Sequence, residues 1–353
     1  MKFNRKPVSQ NQYKKLLTVS NSITEKLVAQ AQVILTTSVV AGGYQLKSIK
    51  KLPVVIMDES TQSSEACSLI PLSMPGVDRF IFVGDDKQLS SFSEVPYLEQ
   101  SLFERVLKND TYKNPHMLNV QYRMHPKISE FPIKNFYHDM LSDGVTEEDR
   151  GMEGIDPLVF VNYGSKYKES KVSNYKRFNG GGYTYTNHGE ANLILQILKD
   201  LVYTKNVDKQ DISIITPYSA QRDLLATTIQ KDDLINPNNE EIEEEVDEDS
   251  LTSKKPTTIK TICNIMVSSI DAFQGREKSF IIFSCVRSND ENKIGFVKDA
   301  RRLNVALTRA RDGLILVGNK ECMSQGDELW NKLLTHIGSK NCIVSEDLSL
   351  IHI

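Results

Sequence analysis

The chain has 353 residues, of which 39% are hydrophobic and 25% are charged, and its formal net charge is −3. These values are typical of a globular protein and exclude a fibrous or largely disordered chain. No apolar run approaches the ~20 residues that a membrane helix requires, and the first ten residues lack the apolar segment of a signal peptide. We therefore expect a protein that does not enter membranes and is cytoplasmic, with the nucleus as the alternative.

Acidic residues and cysteines are unevenly distributed along the chain. Residues 240–249, EEIEEEVDED, contain eight acids and no base, so the rest of the chain is mildly basic. Like charges at that density resist packing, which predicts a solvated, mobile insertion over residues 232–256, with partner binding as the alternative. The five cysteines are scattered and never spaced C-x-x-C, so neither a disulfide framework nor a zinc site is indicated.

Short runs rich in Val and Ile alternate with longer amphipathic stretches. Such runs are typical of strands buried on both faces of a parallel sheet with helical crossovers, and they predict an α/β architecture. In chain order the predicted strands are QVILTT, VVIMDE, FIFVGD, HMLNVQY, LVFVNY, ISIITP, FIIFSCV and LILVG.

The amphipathic stretches contain start signals for helices. Asn187 can cap a helix that runs to Val202, and Glu190, three residues on, completes a capping box. A second helix begins at Asp299, which puts an acid at its amino end. Pro126 occupies the first position of a third helix, where its missing N–H costs least.

A domain boundary is predicted at residues 113–115, after the helical stretch SLFERVLKN. It separates a first sheet domain, residues 1–114, from a second, residues 115–345. The first contains fewer strand and helix pairs than a doubly wound sheet normally has.

Polar side chains follow two predicted strands directly. Asp58 and Glu59 end VVIMDE, and Gly84 and Gln88 lie in GDDKQL after RFIFV. Open α/β sheets bind ligands at the carboxyl ends of their strands. In phosphoryl-transfer sites, one acid can reach Mg²⁺ through its water shell. A neighbouring acid then takes a proton from the water that attacks the phosphate. The alternatives are a helix cap for the acids and a plain polar loop for GDDKQL.

The segment QYRMHP follows another predicted strand. The guanidinium of Arg123 can reach a phosphate, and the ring of Tyr122 can stack on a base. A surface ion pair is the alternative for Arg123.

Hydroxyl groups lie at two further strand ends, in TPYSAQ and SSIDAFQGREK, where they suit sugar–phosphate contacts that ignore base identity. In RRLNVALTRAR, Arg302 and Arg309 are two turns apart if the helix is continuous. One helix face then presents two guanidinium groups about 10 Å from each other, and a solvated basic helix is the alternative.

Together these stretches resemble the superfamily 1 helicases, in particular the group of the up-frameshift helicase of nonsense-mediated decay and senataxin. VVIMDESTQ resembles motif II, GDDKQLS motif III, QYRMHP motif IV, TPYSAQ and SSIDAFQGREK the next two, and RRLNVALTRAR motif VI. QVILTTSVVAGG resembles the Thr-rich nucleic-acid contact of the first domain. The likeness covers residues 31–319.

The resemblance implies two RecA-like parallel-sheet domains with ATP·Mg²⁺ between them and a 5′-to-3′ helicase activity. Asp58 would bind Mg²⁺ through water, and Glu59 would be the general base. Gln88 would couple the γ-phosphate to the nucleic-acid site. The remaining nucleotide contacts would be Arg123 and Arg309 on the phosphoryl group, Tyr122 on adenine, Glu277 on ribose and Gly275 along the nucleotide.

The resemblance also implies single-stranded RNA or DNA as a partner, and RNA-decay or translation-termination factors as protein partners. The candidates for the phosphodiester contacts are Thr37, Ser38, Thr216, Tyr218 and Ser269. Two departures from the family pattern, Ser60 for Ala and Ser90 for Pro, are expected to be compatible with the surface and to affect only local loop geometry.

The P-loop, G-x-x-x-x-G-K-[ST], is missing, since these 353 residues contain no Gly-Lys pair. That loop would supply the phosphate cradle and its Lys. We therefore expect the first domain to be incomplete at its amino end and the chain to be the carboxyl-terminal part of a helicase, inactive alone. The alternative is a non-catalytic remnant that binds nucleic acid or protein. A helicase–nuclease is disfavoured, because no nuclease-like carboxylate cluster is evident in the sequence.

One basic and aromatic stretch lies outside these motifs. Residues 163–178, YGSKYKESKVSNYKRF, interleave Lys and Arg with Tyr and Phe, as surfaces that bind single strands do. A solvated loop is nevertheless the favoured interpretation, because such composition is common in loops, and a surface that binds single strands is the alternative.

Overall fold

The computed structural model describes residues 9–91, 93, 95–109, 111–112, 115–173, 183–246 and 258–346. The chain divides after Pro115 into two compact units. The first unit has helices α1 (Gln10–Gln30), α2 (Ser38–Ala41), α3 (Glu65–Leu72) and α4 (Leu102–Lys108), and strands β1 (Val54–Met57) and β2 (Arg79–Phe82).

Strands β1 and β2 of the first unit pair in parallel, with Val54 opposite Arg79. Burial on both faces was predicted for most strands of the chain, but β1 and β2 depart from it. Ile56 is 66% exposed and Ile81 44% exposed, so one face of the pair is open. The prediction of a strand at QVILTT is also wrong, because residues 32–36 form no strand. The apolar run alone could not distinguish a strand buried on both faces from one covered on a single face.

The second unit contains six helices and twelve strands among its described residues. The helices are α5 (Pro126–Phe136), α6 (His188–Lys199), α7 (Ser219–Gln230), α8 (Ala300–Leu307), α9 (Lys320–Gly326) and α10 (Glu328–Ser339). The strands are β3 (Val120–Gln121), β4 (Ser142–Asp143), β5 (Leu158–Asn162), β6 (Ser170–Ser173), β7 (Tyr183–Thr186), β8 (Ile212–Thr216), β9 (Glu243–Val246), β10 (Thr258–Ile262), β11 (Ile265–Ser269), β12 (Lys278–Ser284), β13 (Ala310–Gly318) and β14 (Ile343–Ser345).

Eight of these strands form one sheet in the order β14-β5-β13-β12-β8-β11-β10-β9. The strands from β14 to β11 are all parallel, whereas β10 and β9 are antiparallel additions at one edge. Strands β5, β8 and β12 are buried along nearly their whole length, as continuous Val- and Ile-rich runs predict. The predicted α/β fold is confirmed.

Alternate residues of the central strand β12 pack on opposite faces of the sheet. Ile282 belongs to a core with Ile194 of α6 and Leu225 of α7. Phe283, the next residue, stacks on Trp330 of α10 at 6.2 Å between ring centroids. Helices therefore cover both faces of this sheet, as crossover connections require.

The predicted helix starts are confirmed. Pro126 opens α5, and the side chain of Asp299 caps α8 by accepting the N–H of Arg302. Asn187 caps α6 by accepting the N–H of Glu190 at 3.0 Å. Glu190 does not complete the predicted capping box, because the N–H of Asn187 donates instead to Gln221 Oε1 at 2.8 Å.

The acidic insertion is more ordered than its composition predicts. Ile235 and Asn236 are buried, and Glu243–Val246 form the edge strand β9, paired with β10. Lys260 on β10 forms an ion pair with Glu244 at 2.9 Å. The prediction of a mobile loop is wrong for this part, and residues 247–257 lie outside the described residues. Pairing with β10 overcomes the charge repulsion that the local sequence predicts.

Across the part of the chain that the structure describes, no helix is both long and apolar enough to traverse a lipid bilayer.

Candidate nucleotide and nucleic-acid site

In the first unit, Asp58 and Glu59 directly follow β1 and are exposed. Asp58 Oδ1 accepts the N–H of Glu59 at 2.9 Å, and Glu59 Oε2 accepts Gln62 Nε2 at 3.0 Å. Glu59 has a φ of 47°, a left-handed conformation that is uncommon outside glycine. Such conformations concentrate at functional sites, so Glu59 stands out among the residues of this turn.

The segment after β2 lies beside that turn, because β1 and β2 are parallel neighbours. Ser60 is buried, and its hydroxyl donates to the carbonyl of Val83 at 2.6 Å. Its expected surface position is therefore wrong. A Cβ on Gly84 would lie 3.1 Å from Ser60 Oγ, so this close approach favours glycine. Gln88 Nε2 donates to Asp85 Oδ2 at 2.8 Å.

The donor set of this unit fits a magnesium ion that keeps most of its water. Mg²⁺ is commonly held by one or two carboxylates together with substrate phosphates and waters. Asp58 offers an exposed carboxylate at a strand end. Among the described residues no group of three or more His, Cys, Asp or Glu side chains could form an all-protein metal site. Asp58 could therefore provide a single carboxylate contact to such an ion.

Thr37 and Ser38, also in the first unit, lie at the start of α2. Thr37 is exposed and its hydroxyl accepts the N–H of Val40 at 3.4 Å, while Ser38 is half-buried.

In the second unit, a turn after β3 presents Tyr122 and Arg123. Gln121 Oε1 accepts the N–H groups of Arg123 and Met124 at 2.9 and 2.8 Å. The ring of Tyr122 lies against Gly144, where a Cβ would be only 2.3 Å from Tyr122 Cε1. Tyr122 is nevertheless 65% exposed. Most of the ring surface is therefore open to a planar ligand.

Arg123 is bound to Glu277, 154 residues further along the chain. Its Nε donates to Glu277 Oε2 at 2.5 Å, and its Nη1 donates to the carbonyl of Thr308 at 3.1 Å. Partial burial alone would raise the pKa of Glu277, but the hydrogen bond and charge of Arg123, with the charges of Arg311 and Arg309, hold it below its ordinary value. The fold therefore joins two motifs that are far apart in sequence.

The two arginines of the last motif are separated, which corrects the prediction of a shared helix face. Helix α8 ends at Leu307, so Arg309 precedes β13 and is only 2% exposed. Its Nε donates to the carbonyl of Val305 at 3.0 Å and its Nη2 to Thr308 Oγ1 at 2.9 Å. Arg302 instead pairs with Asp271 at 2.9 Å.

Gly275 lies two residues before Glu277 and has a φ of 77°. Nothing lies within 4 Å of the position that a Cβ would occupy, so the backbone faces open space there. A ligand could approach this stretch of chain closely.

Three predicted nucleic-acid contacts lie at the carboxyl end of the large sheet. Ser269 is half-buried, and its hydroxyl accepts the N–H of Ala272 at 3.3 Å. Thr216 is fully buried, and its hydroxyl has no partner among the described residues. Tyr218 is 3% exposed and its hydroxyl donates to the carbonyl of Ile294 at 3.2 Å, while burial raises its pKa to about 12. The Thr216 and Tyr218 side chains thus point into the protein.

Sequence reasoning missed Arg287, which follows the buried strand β12 closely. It forms a largely buried ion pair with Glu169 at 2.8 Å and lies 4.0 Å from the ring centroid of Tyr185. Its position shortly after a strand was a usable signal, since the candidates Asp58 and Gln88 also follow strands. Arg150, described below, was also missed, and nothing in the surrounding EEDR distinguishes it.

The basic and aromatic stretch is partly a hairpin. Strand β6 pairs with β7, and Lys171 Nζ lies 3.4 Å from the ring centroid of Tyr183. Lys166 forms an ion pair with Glu346 at 2.6 Å, and Lys168 pairs with Asp290. Residues 174–178 of this stretch lie outside the described residues. The prediction of a loop is wrong for β6, which is a strand, although β6 is exposed along its whole length as a solvated segment would be. The binding role of this stretch stays a prediction.

Comparison with known proteins places these features in context. Two family profiles, each described as an AAA domain, match residues 2–93 and 98–321. The second profile alone spans more than half of the chain.

Curated relatives align over almost the whole chain. The Saccharomyces cerevisiae protein ECM32, named as an ATP-dependent RNA helicase, is 50% identical over 349 residues, which are 96% of this chain and 31% of that protein. The Neurospora crassa regulator of nonsense transcripts 1 homolog is 36% identical, over 97% of this chain and 29% of its own length. The ATP-dependent helicase NAM7 of Saccharomyces cerevisiae is 34% identical, over 97% of this chain and 32% of its own length. The chain spans less than a third of each relative.

Proposed function

The chain belongs to the AAA-domain family, among the superfamily 1 helicases of the up-frameshift group, and from this membership we propose that it is part of an enzyme that couples ATP hydrolysis to 5′-to-3′ movement on single-stranded RNA or DNA. The matched relatives are much longer than these 353 residues, so the complete reaction is proposed for the protein to which this segment would correspond.

The arrangement of Tyr122, Arg123 and Glu277 is the observation that carries the proposal. The exposed ring of Tyr122 suits adenine, because a base can stack on it without displacing protein. A carboxylate can accept ribose hydroxyls, and a guanidinium binds phosphate oxygens with favourable geometry. The open backbone at Gly275 leaves room beside them.

The present pairing of Arg123 with Glu277 is the resting arrangement in this proposal. Arg123 then turns from Glu277 to a nucleotide phosphate, and Glu277 turns to the ribose. Arg309, which is buried, would contribute a second positive charge to the phosphoryl group from a fixed position before β13. In comparable phosphoryl-transfer enzymes an arginine of this kind contributes ~10³ to 10⁵ in rate.

Residues of the first unit would supply the metal and water chemistry. Asp58 would hold Mg²⁺ through its water shell, and Glu59 would take a proton from the attacking water. Gln88 would contact the γ-phosphate. A bound magnesium ion would neutralise charge on the phosphates.

Nucleic-acid contacts are proposed for Thr37, Ser38 and Ser269, whose side chains are not fully buried. Direct side-chain contacts by Thr216 and Tyr218 are not included, because both are buried. By relationship to proteins named as regulators of nonsense transcripts, RNA-decay or translation-termination factors are proposed as protein partners, with the cytoplasm as the location and the nucleus as the alternative.

A fluorescent ADP analogue with Mg²⁺, titrated onto the 353-residue chain, tests the adenine site. We expect Tyr122→Ala to weaken binding about 5- to 100-fold, because a base stacked on an aromatic ring contributes ~1–3 kcal/mol. Tyr112→Ala is the matched control, since Tyr112 is similarly exposed at 60% and lies in the first unit. Equal affinities for both variants and the wild type would refute the assignment of Tyr122.

A non-catalytic binding role is the second candidate, and one sequence observation favours it for these residues. They contain no Gly-Lys pair and hence no P-loop. RNA binding that survives Glu59→Gln, with no nucleotide binding by the wild-type chain, would support this alternative over the enzyme.

A further inference from the structure

We propose that Arg150 is a positioning residue, which holds the turn of Tyr122 and Arg123 in its ligand-binding shape, and that Gly144 sets the orientation of the Tyr122 ring. The inference rests on the proposed nucleotide site. Neither residue belongs to a motif that the sequence reveals.

The guanidinium of Arg150 is bound to backbone carbonyl groups. Its Nη2 donates to the carbonyl of Tyr122 at 2.8 Å, and its Nε donates to the carbonyl of Arg123 at 2.8 Å. A third, longer bond joins Nη1 to the carbonyl of Asp149 at 3.3 Å. The rigid fork of a guanidinium allows two neighbouring carbonyls to be bound at once.

These two carbonyls belong to the peptide units on either side of the Arg123 Cα atom. The N–H groups of the same two peptide units donate to Gln121 Oε1, at 2.9 and 2.8 Å. Arg150 and Gln121 therefore hold both units by their opposite ends. This fixes the two backbone dihedrals that aim the side chain of Arg123.

Further bonds anchor Gln121 itself. Its Nε2 donates to Asp143 Oδ1 at 2.5 Å and to the carbonyl of Met124 at 2.9 Å. Asp143 also accepts the hydroxyl of Ser129 at 2.6 Å. These hydrogen bonds connect the turn to β4 and to α5. Arg150, which lies outside the motif, provides the remaining hydrogen bonds to the turn.

The charge of Arg150 also fits a site for an anion. No carboxylate among the described residues lies within ion-pair distance of its guanidinium. Hydrogen bonds from Thr146, followed by the charge of Arg150, hold the pKa of Asp149 below its ordinary value. Hydrogen bonds from a charged donor are stronger than neutral ones. The residue therefore stiffens the turn and places a guanidinium group beside it.

Gly144 acts on the ring rather than on the backbone of the turn. A Cβ there would lie 2.3 Å from Tyr122 Cε1 and 2.5 Å from Cδ1, far inside contact distance. Its N–H donates to the carbonyl of Gln121 at 2.7 Å, which holds it in place. Any side chain at residue 144 would have to displace the Tyr122 ring.

The test combines Arg150→Gln, Arg150→Lys and the control Lys332→Gln, which removes one positive charge from a surface pair on α10. Hydrogen–deuterium exchange of residues 121–125 measures the rigidity of the turn, and the affinity for the fluorescent ADP analogue measures ligand binding at the site. Fluorescence of Trp330 measures unfolding of the second unit. We expect Arg150→Gln to speed exchange there about 10-fold or more and to weaken ADP binding about 5- to 10-fold. Arg150→Lys should restore part of the slow exchange and part of the ADP affinity. Lys332→Gln should change neither the exchange rate nor the affinity.

Several results separate the possibilities. Unchanged exchange in residues 121–125 of Arg150→Gln would overturn the inference, and so would faster exchange spread over the whole second unit with a matching shift in Trp330 unfolding. If the wild-type chain binds no ADP analogue, the proposed function fails, and exchange alone then decides the role of Arg150.

The variant Gly144→Ala tests the ring separately. It should weaken ADP binding while exchange of the Arg123 and Met124 amides stays within about 2-fold of wild type, because its clashes are with the side chains of Tyr122 and Val120 and not with the backbone of the turn. Unchanged ADP affinity in this variant would overturn the role assigned to Gly144.

Discussion

Glu190 accepts the backbone N–H of Val286 with both carboxylate oxygens, at 2.9 and 3.0 Å. Val286 has a φ of 69°, a conformation that is strained for a β-branched residue. Tyr163 and Ser284 donate to the same carboxylate. Complete burial raises the pKa of Glu190 to about 7, although these hydrogen bonds oppose the change.

The first prediction concerns stability against pH. Folded Glu190 holds its proton up to about pH 7, whereas the unfolded side chain loses it near 4.5. Stability should therefore fall as pH rises from 4.5 towards 7, by up to ~3 kcal/mol from this group. Glu190→Gln, which stays neutral, should flatten that part of the profile. Urea unfolding followed by Trp330 fluorescence measures it, and parallel profiles for the two proteins would contradict the assignment.

The second prediction contrasts two arginines. Arg309→Ala should destabilise the second unit by about 2–4 kcal/mol, because it removes buried hydrogen bonds to Val305 and Thr308. Arg123→Ala should cost only about 0–1 kcal/mol, since its pair with Glu277 is partly solvated.

Chemical denaturation read at Trp330, the single tryptophan of the chain, distinguishes these two cases. If Arg309→Ala lowered the free energy of unfolding by less than Arg123→Ala does, the argument from burial would be contradicted. Loss of activity in an Arg309 variant therefore has to be compared with its folded fraction before it is assigned to chemistry.

The third prediction concerns catalysis by the 353 residues alone. Positioning and charge stabilisation provide nearly all the catalysis of phosphoryl transfer, and the P-loop that provides much of both is missing from the sequence. We expect no nucleic-acid-stimulated ATP hydrolysis near the rate of an intact homologue. Phosphate release at a comparable rate from the purified chain would refute this.

The fourth prediction addresses the hairpin of β6 and β7. If Lys168 and Lys171 contact phosphates, replacing both with Glu should weaken RNA binding and reduce the salt slope by about 1 to 2. Lys332→Glu, compared with each single Lys→Glu variant of the hairpin, provides the control for a charge reversal at an exposed lysine. An unchanged slope would favour a purely structural hairpin. Lys176 and Arg177, the other basic candidates of this stretch, lie outside the described residues.

Features with local causes were predictable from the sequence. Pro126 and Asp299 open their helices because proline and a capping acid act on the first turn alone. Strands β8 and β12 were evident because unbroken Ile-rich runs suit a parallel interior. The expected position of Asp58 and Glu59 after β1 depended on the same reasoning.

Features with long-range causes were not predictable. Arg309 leaves α8 because its neighbour Ala310 pairs with Lys278 at the start of β13. Glu244 lies in a strand because β10 supplies hydrogen bonds and Lys260 supplies charge. The bonds from Arg150 to the turn span 27 and 28 residues, and no local pattern encodes that distance.

Strand β9 has a consequence for how separate molecules meet. It lies at the end of the strand order in the large sheet, and Glu243, Glu244 and Glu245 are all exposed there. If β9 of a second molecule paired with β9 at this sheet edge, like charges would lie against each other. This repulsion disfavours strand addition between molecules. Protonation of these acids, or concentrated salt, should remove that protection and favour fibrillar self-association.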